Sequence, residues 1–301
     1  MERLIIEEEL NERIDSYLSK NTEYSRSKIV KMLEDSTIMV NDKSVKNSYT
    51  LKVGDVITIG EYQEEEMNIE PEDIPLDIVY EDNDVIVVNK PNGMVVHPAI
   101  GNNHGTLVNA LLFHSKNLSD VNGEFRPGIV HRIDADTTGL LMVAKNNKSH
   151  EILADELSKK ETTRKYVALV WGVIKEDTAT IDAPIGRDST DRKKMAVTSI
   201  NSKDAITHLR VLKRFKDATL IELQLETGRT HQIRVHMNYI EHPVVNDPVY
   251  GRRKLIDTTG QCLHAKTIGF KHPVTGKYME FTSELPECFT NILNMFEEDN
   301  N

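Results

Sequence analysis

Apolar residues near the start of the chain recur at helical spacing in two short stretches. Ile14, Tyr17 and Leu18 form the first stripe. Ile29, Met32 and Leu33 form the second, within SRSKIVKML, where Ser25 or Ser27 can cap. Two strand-like runs follow, TIMVNDKSV with a turn at Asn41-Asp42, and VGDVITIG. The pattern predicts a small α+β module over residues 1–60. Residues 61–84 carry no helical or strand period and contain Pro71 and Pro75, so a solvated acidic linker is expected, assigned to 61–75. Over 76–301 the two periods alternate. DVIVVNK, GLLMVAK and KYVALVWGVI read as strands, THLRVLKRF and ATLIELQLE as an antiparallel pair, and TLVNALLFH and SHEILADELSKK as helices. After Thr230, the spacing of Ile233, Met237 and Ile240 predicts one more helix with an inward face. The fold class expected is α+β: the small module, then a larger domain on a mixed, mainly antiparallel sheet.

Composition narrows the setting. With 39% hydrophobic and 28% charged residues in 301, the chain has the make-up of a globular protein. No apolar run approaches the roughly 20 residues of a membrane span. MERLIIEEEL lacks the features of a secretory leader, and two cysteines, Cys262 and Cys288, build no disulfide framework, so a cytoplasmic setting is expected. The net charge of −11 argues against nucleic acid until its distribution is read. Residues 61–84 hold eleven acids and no Lys or Arg, whereas 85–296 hold 28 basic against 23 acidic residues. The overall charge neither excludes RNA nor argues for it.

Three segments could carry chemistry. In PGIVHRIDADTTGLLMVAKN a strand is expected to run into a polar turn and a second strand to leave it, displaying Asp134 beside Arg132. A carboxylate so placed can serve as nucleophile or general base, or simply cap the turn. The spacing of Asp134, Asp136, Thr138 and Gly139 mimics the start of a calcium loop, but Lys145 stands where a bidentate Glu is required. In LETGRTHQIRVHMNYI, Arg229 lies in a glycine turn, and Arg234 lies one helical turn from His231 and Asn238, available to an anion or to Asp134. His231 and His236 are five apart, which misses helical metal-ligand spacing. In TTRKYVALVWG, Tyr166 could stack on a base or fill the core. On the N-terminal module, Arg26, Lys28 and Lys31 fall off the apolar stripe, as phosphate contacts or as a solvated face.

Taken together, HRIDADTTGL, RKYVALVWG and TGRTHQIRVH, with NKPNGMVVHP and HPVVNDPVYG, resemble the RluA family of pseudouridine synthases over about residues 76–285. ERIDSYLS, YSRSKIVKML and IMVNDKSVKNSYTLKVGDVITI resemble the RNA-binding domain named after ribosomal small-subunit protein four. The resemblance implies that Asp134 is the essential aspartate, Tyr166 the active-site tyrosine and Arg234 the partner of the aspartate. It leaves Arg132, Arg229 and His231, with Arg26, Lys28 and Lys31, as RNA contacts. It further implies uridine isomerisation without cofactor or metal, on structured RNA, large-subunit ribosomal RNA first and transfer RNA second. No membrane and no obligate protein partner is implied.

Three competing readings make distinct demands. A non-catalytic RNA-binding assembly factor would have lost Asp134, Tyr166 or Arg234, and all three are present. A carbon-5 methyltransferase needs a glycine-rich cofactor turn and a cysteine in a polar loop, whereas Cys262 sits in the strand-like GQCLHAK. A hydrolase using Asp134 lacks a G-x-S-x-G elbow or a second carboxylate pattern.

Overall fold

The computed structural model describes residues 2–62, 69–98, 103–121, 123, 126–191, 193–251 and 253–298. Two compact units divide the chain, Met1–Glu66 and Met67–Asn301.

The first unit packs helices α1 (Ile14–Asn21) and α2 (Arg26–Glu34) on a three-stranded antiparallel sheet of β1 (Glu2–Ile5), β2 (Ile38–Val40) and β3 (Val56–Ile59), in the order β1-β3-β2. The apolar stripes are its core: Ile14, Leu18, Ile29, Met32 and Leu33 meet Ile38, Val40, Ile57 and Ile59. The Ser25 hydroxyl caps α2 by accepting from the Lys28 N–H at 3.3 Å. Asn41 and Asp42 have φ of 50° and 58°, the left-handed pair that a tight turn after a strand demands. Buried Asp15 accepts from both Arg13 and Arg26 at 2.9 Å.

The second unit is built on a nine-stranded sheet. Its strands are β4 (Asp77–Glu81), β5 (Val85–Lys90), β6 (Thr138–Ala144), β7 (Thr163–Trp171), β8 (Thr178–Asp182), β11 (Ile206–Arg214), β12 (Ala218–Leu225), β13 (Leu263–Lys271) and β14 (Tyr278–Thr282). β9 (Ile185–Arg187) and β10 (Met195–Val197) form a separate pair. The order is β4-β5-β6-β13-β7-β12-β11-β8, with β14 also on β13. Every pairing in it is antiparallel except β6 with β13. Helices cover both faces: α3 (Leu107–His114) and α5 (Gln232–Tyr239) on one, α4 (Asn147–Ser158) and α6 (Glu287–Glu298) on the other. Alternate residues of β5 therefore enter different cores, Ile86 and Val88 one, Val85 and Val87 another, which is why the central strands read as unbroken apolar runs.

At the β6–β13 crossing Gly139 has φ +109°, and a Cβ there would lie 2.3 Å from the Ala265 carbonyl oxygen. Only glycine permits the two backbones to approach so closely.

Two expectations are corrected. Of the acidic stretch 61–75, residues 63–68 lie outside the described residues, and 69–75 are not a free linker. Ile69 and Ile74 pack on the core, the Asn109 side chain donates to the Glu70 carbonyl at 2.8 Å, and the Glu72 N–H donates to the Asn109 carbonyl at 3.0 Å. Further on, β4 is an edge strand whose acidic residues face water. Residues 127–137, expected to contain a strand before Asp134, are a loop with one isolated bridge, Ile129 to Val143. Among the described residues no helix is long and apolar enough to cross a membrane.

Candidate active site

A cavity of about 400 Å³ opens where the 127–137 loop, β7, the 227–231 turn and α5 converge. Asp134, Tyr166 and Arg234, from segments far apart in sequence, all line it, with Arg132, Arg229 and His231. Asp134 lies in the loop that leads into β6, and its carboxylate accepts from Arg234 Nη1 at 2.9 Å. Tyr166 lies on β7, buried to 7% exposure, and burial raises its hydroxyl above the usual tyrosine range. Arg234 lies on α5, entered through His231 at φ 56°, a left-handed residue that turns the chain sharply into the helix.

The orientation of Arg234 depends on a second carboxylate. Its Nε donates to Asp247 at 2.6 Å and its Nη2 at 2.8 Å. Asp247 also accepts from the backbone N–H groups of Val249 and Tyr250, at 2.8 and 2.9 Å. The guanidinium thus uses one edge as a fork on Asp247 and presents Nη1 to Asp134. Burial disfavours its charge, but Asp247 and then Asp134 outweigh this and raise it above the ordinary arginine value. Burial likewise opposes the charge of Asp247, and Arg234 with the two backbone donors holds that carboxyl below the usual range. The Tyr250 ring stacks 5.1 Å from the guanidinium.

Around this centre, His231 Nδ1 lies 2.8 Å from the Tyr250 hydroxyl and its Nε2 3.8 Å from Asp134; burial lowers its pKa. Arg132, exposed, donates to the Thr230 hydroxyl at 2.8 Å, and Arg229 to the Asp204 carbonyl at 2.8 Å. Lys90 is almost fully buried beneath the loop, donating to the carbonyls of Pro91 and Ala135 at 2.8 and 2.6 Å; burial pulls its pKa down to about 7.

Among the described residues, one cluster has the composition of a metal site: Asp82, Asp84 and His272. The His272 Nδ1 accepts from the N–H groups of Val274 and Thr275, so its proton sits on Nε2, facing Asp82 at 2.7 Å. Asp82 in turn accepts from the Asp84 and Val85 N–H groups, which makes this a hydrogen-bonded turn.

The model of the RNA pseudouridylate synthase family matches residues 84–239, and that of the S4 domain residues 12–57. This chain belongs to the RNA pseudouridylate synthase family. It is 54% identical over 288 residues, 95% of each chain, to the uncharacterized RNA pseudouridine synthase YlyB of Bacillus subtilis (strain 168). It is 42% identical over 310 residues to the ribosomal large subunit pseudouridine synthase D of Escherichia coli O6:H1 (strain CFT073), covering 98% of this chain and 94% of that one. The solved structure of human RNA pseudouridylate synthase domain containing 1 superposes with a TM-score of 0.58 at 26% identity, covering 74% of this chain and 95% of that one. The synthase reads as an isomerase with an N-terminal S4 domain, as its motifs imply.

Sequence reading missed Asp247. It stands in HPVVNDPVYG, a segment noted for its resemblance only, and nothing local marks it as the anchor of Arg234.

Proposed function

We propose that this synthase converts uridines of large-subunit ribosomal RNA to pseudouridine in the cytoplasm, with Asp134 as the group that acts on the ribose. The observation that carries the assignment is the position of Asp134 at the cavity wall, held by an arginine that is itself held by Asp247. The reaction breaks the bond from C1′ to N1, turns the uracil and joins C1′ to C5; the C5 proton leaves and N1 gains one. Asp134 either attacks C1′ or removes a ribose proton, and Arg234 fixes its direction in both cases. Tyr166 packs on the base, which must leave its stack to enter. His231, Arg132 and Arg229 line the cavity from the RNA side. In the S4 domain, Arg26, Lys28 and Lys31 lie on α2, where they serve phosphate contacts that orient the substrate. Ribosomal RNA is supported by the name of the Escherichia coli relative.

The test is release of tritium from RNA labelled at uridine carbon 5, by the wild type and by Asp134→Asn, with no cofactor added. Release by the wild type alone assigns Asp134. Labelled ribosomal and transfer RNA in parallel decide the substrate, and no release from RNA that binds would leave an RNA-binding assembly factor.

A further inference from the structure

Among the described residues, Arg164 is a buried cation without an anion. Its exposure is 8%, its Nε is shut off from solvent with no partner, and among the described residues its side chain makes no ion pair and no hydrogen bond. Burial lowers its pKa. An uncompensated guanidinium inside a protein is costly, and natural interiors pair such groups. Arg164 nonetheless lines the same cavity as Asp134.

Its setting is shaped to keep it there. Gly228 passes so close that a Cβ would lie 2.7 Å from Arg164 Nη1. Any side chain at 228 would displace the guanidinium. Arg164 and Tyr166 are two apart on β7, so both point to one face, with Cα atoms about 7 Å apart along the strand. A base packed on the Tyr166 ring would share that face and that cavity with the guanidinium.

Among the described residues, the cavity arginines that meet no carboxylate, Arg132, Arg164 and Arg229, differ in wetness. Arg132 is exposed and Arg229 half-buried, as suits hydrated phosphates at the mouth. Arg164 lies inside, where the ligand arrives stripped of water. The part of the substrate that does so is the extruded uracil. It is neutral in uridine, but when the C1′–N1 bond breaks, the electron pair goes to N1 and the charge spreads to O2 and O4.

We propose that Arg164 is a catalytic residue that binds a uracil carbonyl oxygen and stabilises the detached base as an anion, until C1′ is joined to C5 and the C5 proton is lost. This rests on the synthase reading. The cation is left unpaired in the free enzyme because its counter-ion is made by the reaction, so its interaction strengthens towards the transition state.

Arg164→Met, nearly equal in volume and neutral, tests it. Single-turnover tritium release at saturating RNA should slow by about 10²–10³-fold, as when one preorganised donor to a developing anion is removed. RNA affinity and its salt dependence should stay as in the wild type, and the melting temperature should stay level or rise, since an unpaired buried charge has been removed. Arg164→Lys, with the charge but not the planar fork, should fall between. Equal saturating rates overturn the proposal. So does weaker binding with a shallower salt dependence at an intact rate, which would make Arg164 a phosphate contact, and so does a variant that melts lower or fails to fold, which would make it structural. A wild type that binds RNA and releases no tritium would instead overturn the synthase reading itself.

Discussion

Replacing Asp247 by asparagine keeps the volume and removes the charge that anchors Arg234. The carboxylate is fully buried and accepts four hydrogen bonds, two from Arg234 and two from backbone N–H groups. An amide has one acceptor oxygen, so in either orientation its N–H₂ must face at least one donor. Removing one partner of a buried pair costs about 3–5 kcal/mol. Arg234 retains Asp134, which puts the cost near the lower end, about 3 kcal/mol, or roughly 6–12 °C in Tm for a unit of this size. The pH dependence carries the same signature. The folded carboxyl of Asp247 titrates below its unfolded value, so its contribution is complete above about pH 4 and is lost as pH falls further. Urea unfolding followed by circular dichroism should show a constant gap between wild type and variant from pH 8 to 5, narrowing below about pH 4. In single-turnover tritium release the variant should be slower by about 10²-fold, because Asp134 loses its fixed direction. A variant as stable and fast as wild type, or a gap that widens in acid, would refute the role of Asp247.

Gly139→Ala meets both a left-handed φ and the Ala265 carbonyl, and should cost about 3 kcal/mol or more, read as a lower melting temperature or loss of folded protein. Half-buried His131 and buried His264 stay neutral in the fold, with pKa values pulled down by desolvation to about 3 and about 4. Because the unfolded chain takes up those protons below about pH 6.5, stability should fall from pH 6.5 towards 4, by about 2.7 kcal/mol per pH unit at most from the pair. His264→Gln should remove about half of that slope in urea titrations. Lys31→Ala, on the exposed side of α2, should lower the slope of log affinity against log salt by about 0.9 and leave the saturating rate unchanged.

The apolar stripes at Ile14–Leu18 and Ile29–Leu33 were legible because local spacing alone decides which face of a short helix is buried. Asp134, Tyr166 and Arg234 were legible through their neighbours in three motifs, and the cavity brings them together. Asp247 was not, because an aspartate becomes an anchor only when topology brings it against a particular arginine. Arg164 was equally silent: Arg-Lys-Tyr does not say which cation is inside. β4 escaped notice since an edge strand can carry acids on its wet face, and the 127–137 segment looked like a strand because Ile129 and Ile133 are apolar and buried, although it pairs only through the isolated bridge of Ile129 to Val143.

The position of β13 between β6 and β7 also sets a timetable. β6 and β7 follow one another in the chain, yet the strand that joins them begins only at Leu263. Synthesis at about 5–20 residues per second takes roughly 5–18 s to add the intervening ninety or so residues after Trp171. During that interval the ribosome holds two half-sheets, each with a long apolar edge that could pair with another nascent chain. The Arg234–Asp247 pair can form before β13 emerges, but the central sheet that displays Asp134 opposite it cannot. An enzyme of this topology gains activity in one late step, and a message truncated before codon 263 should yield aggregate rather than a partly active fragment.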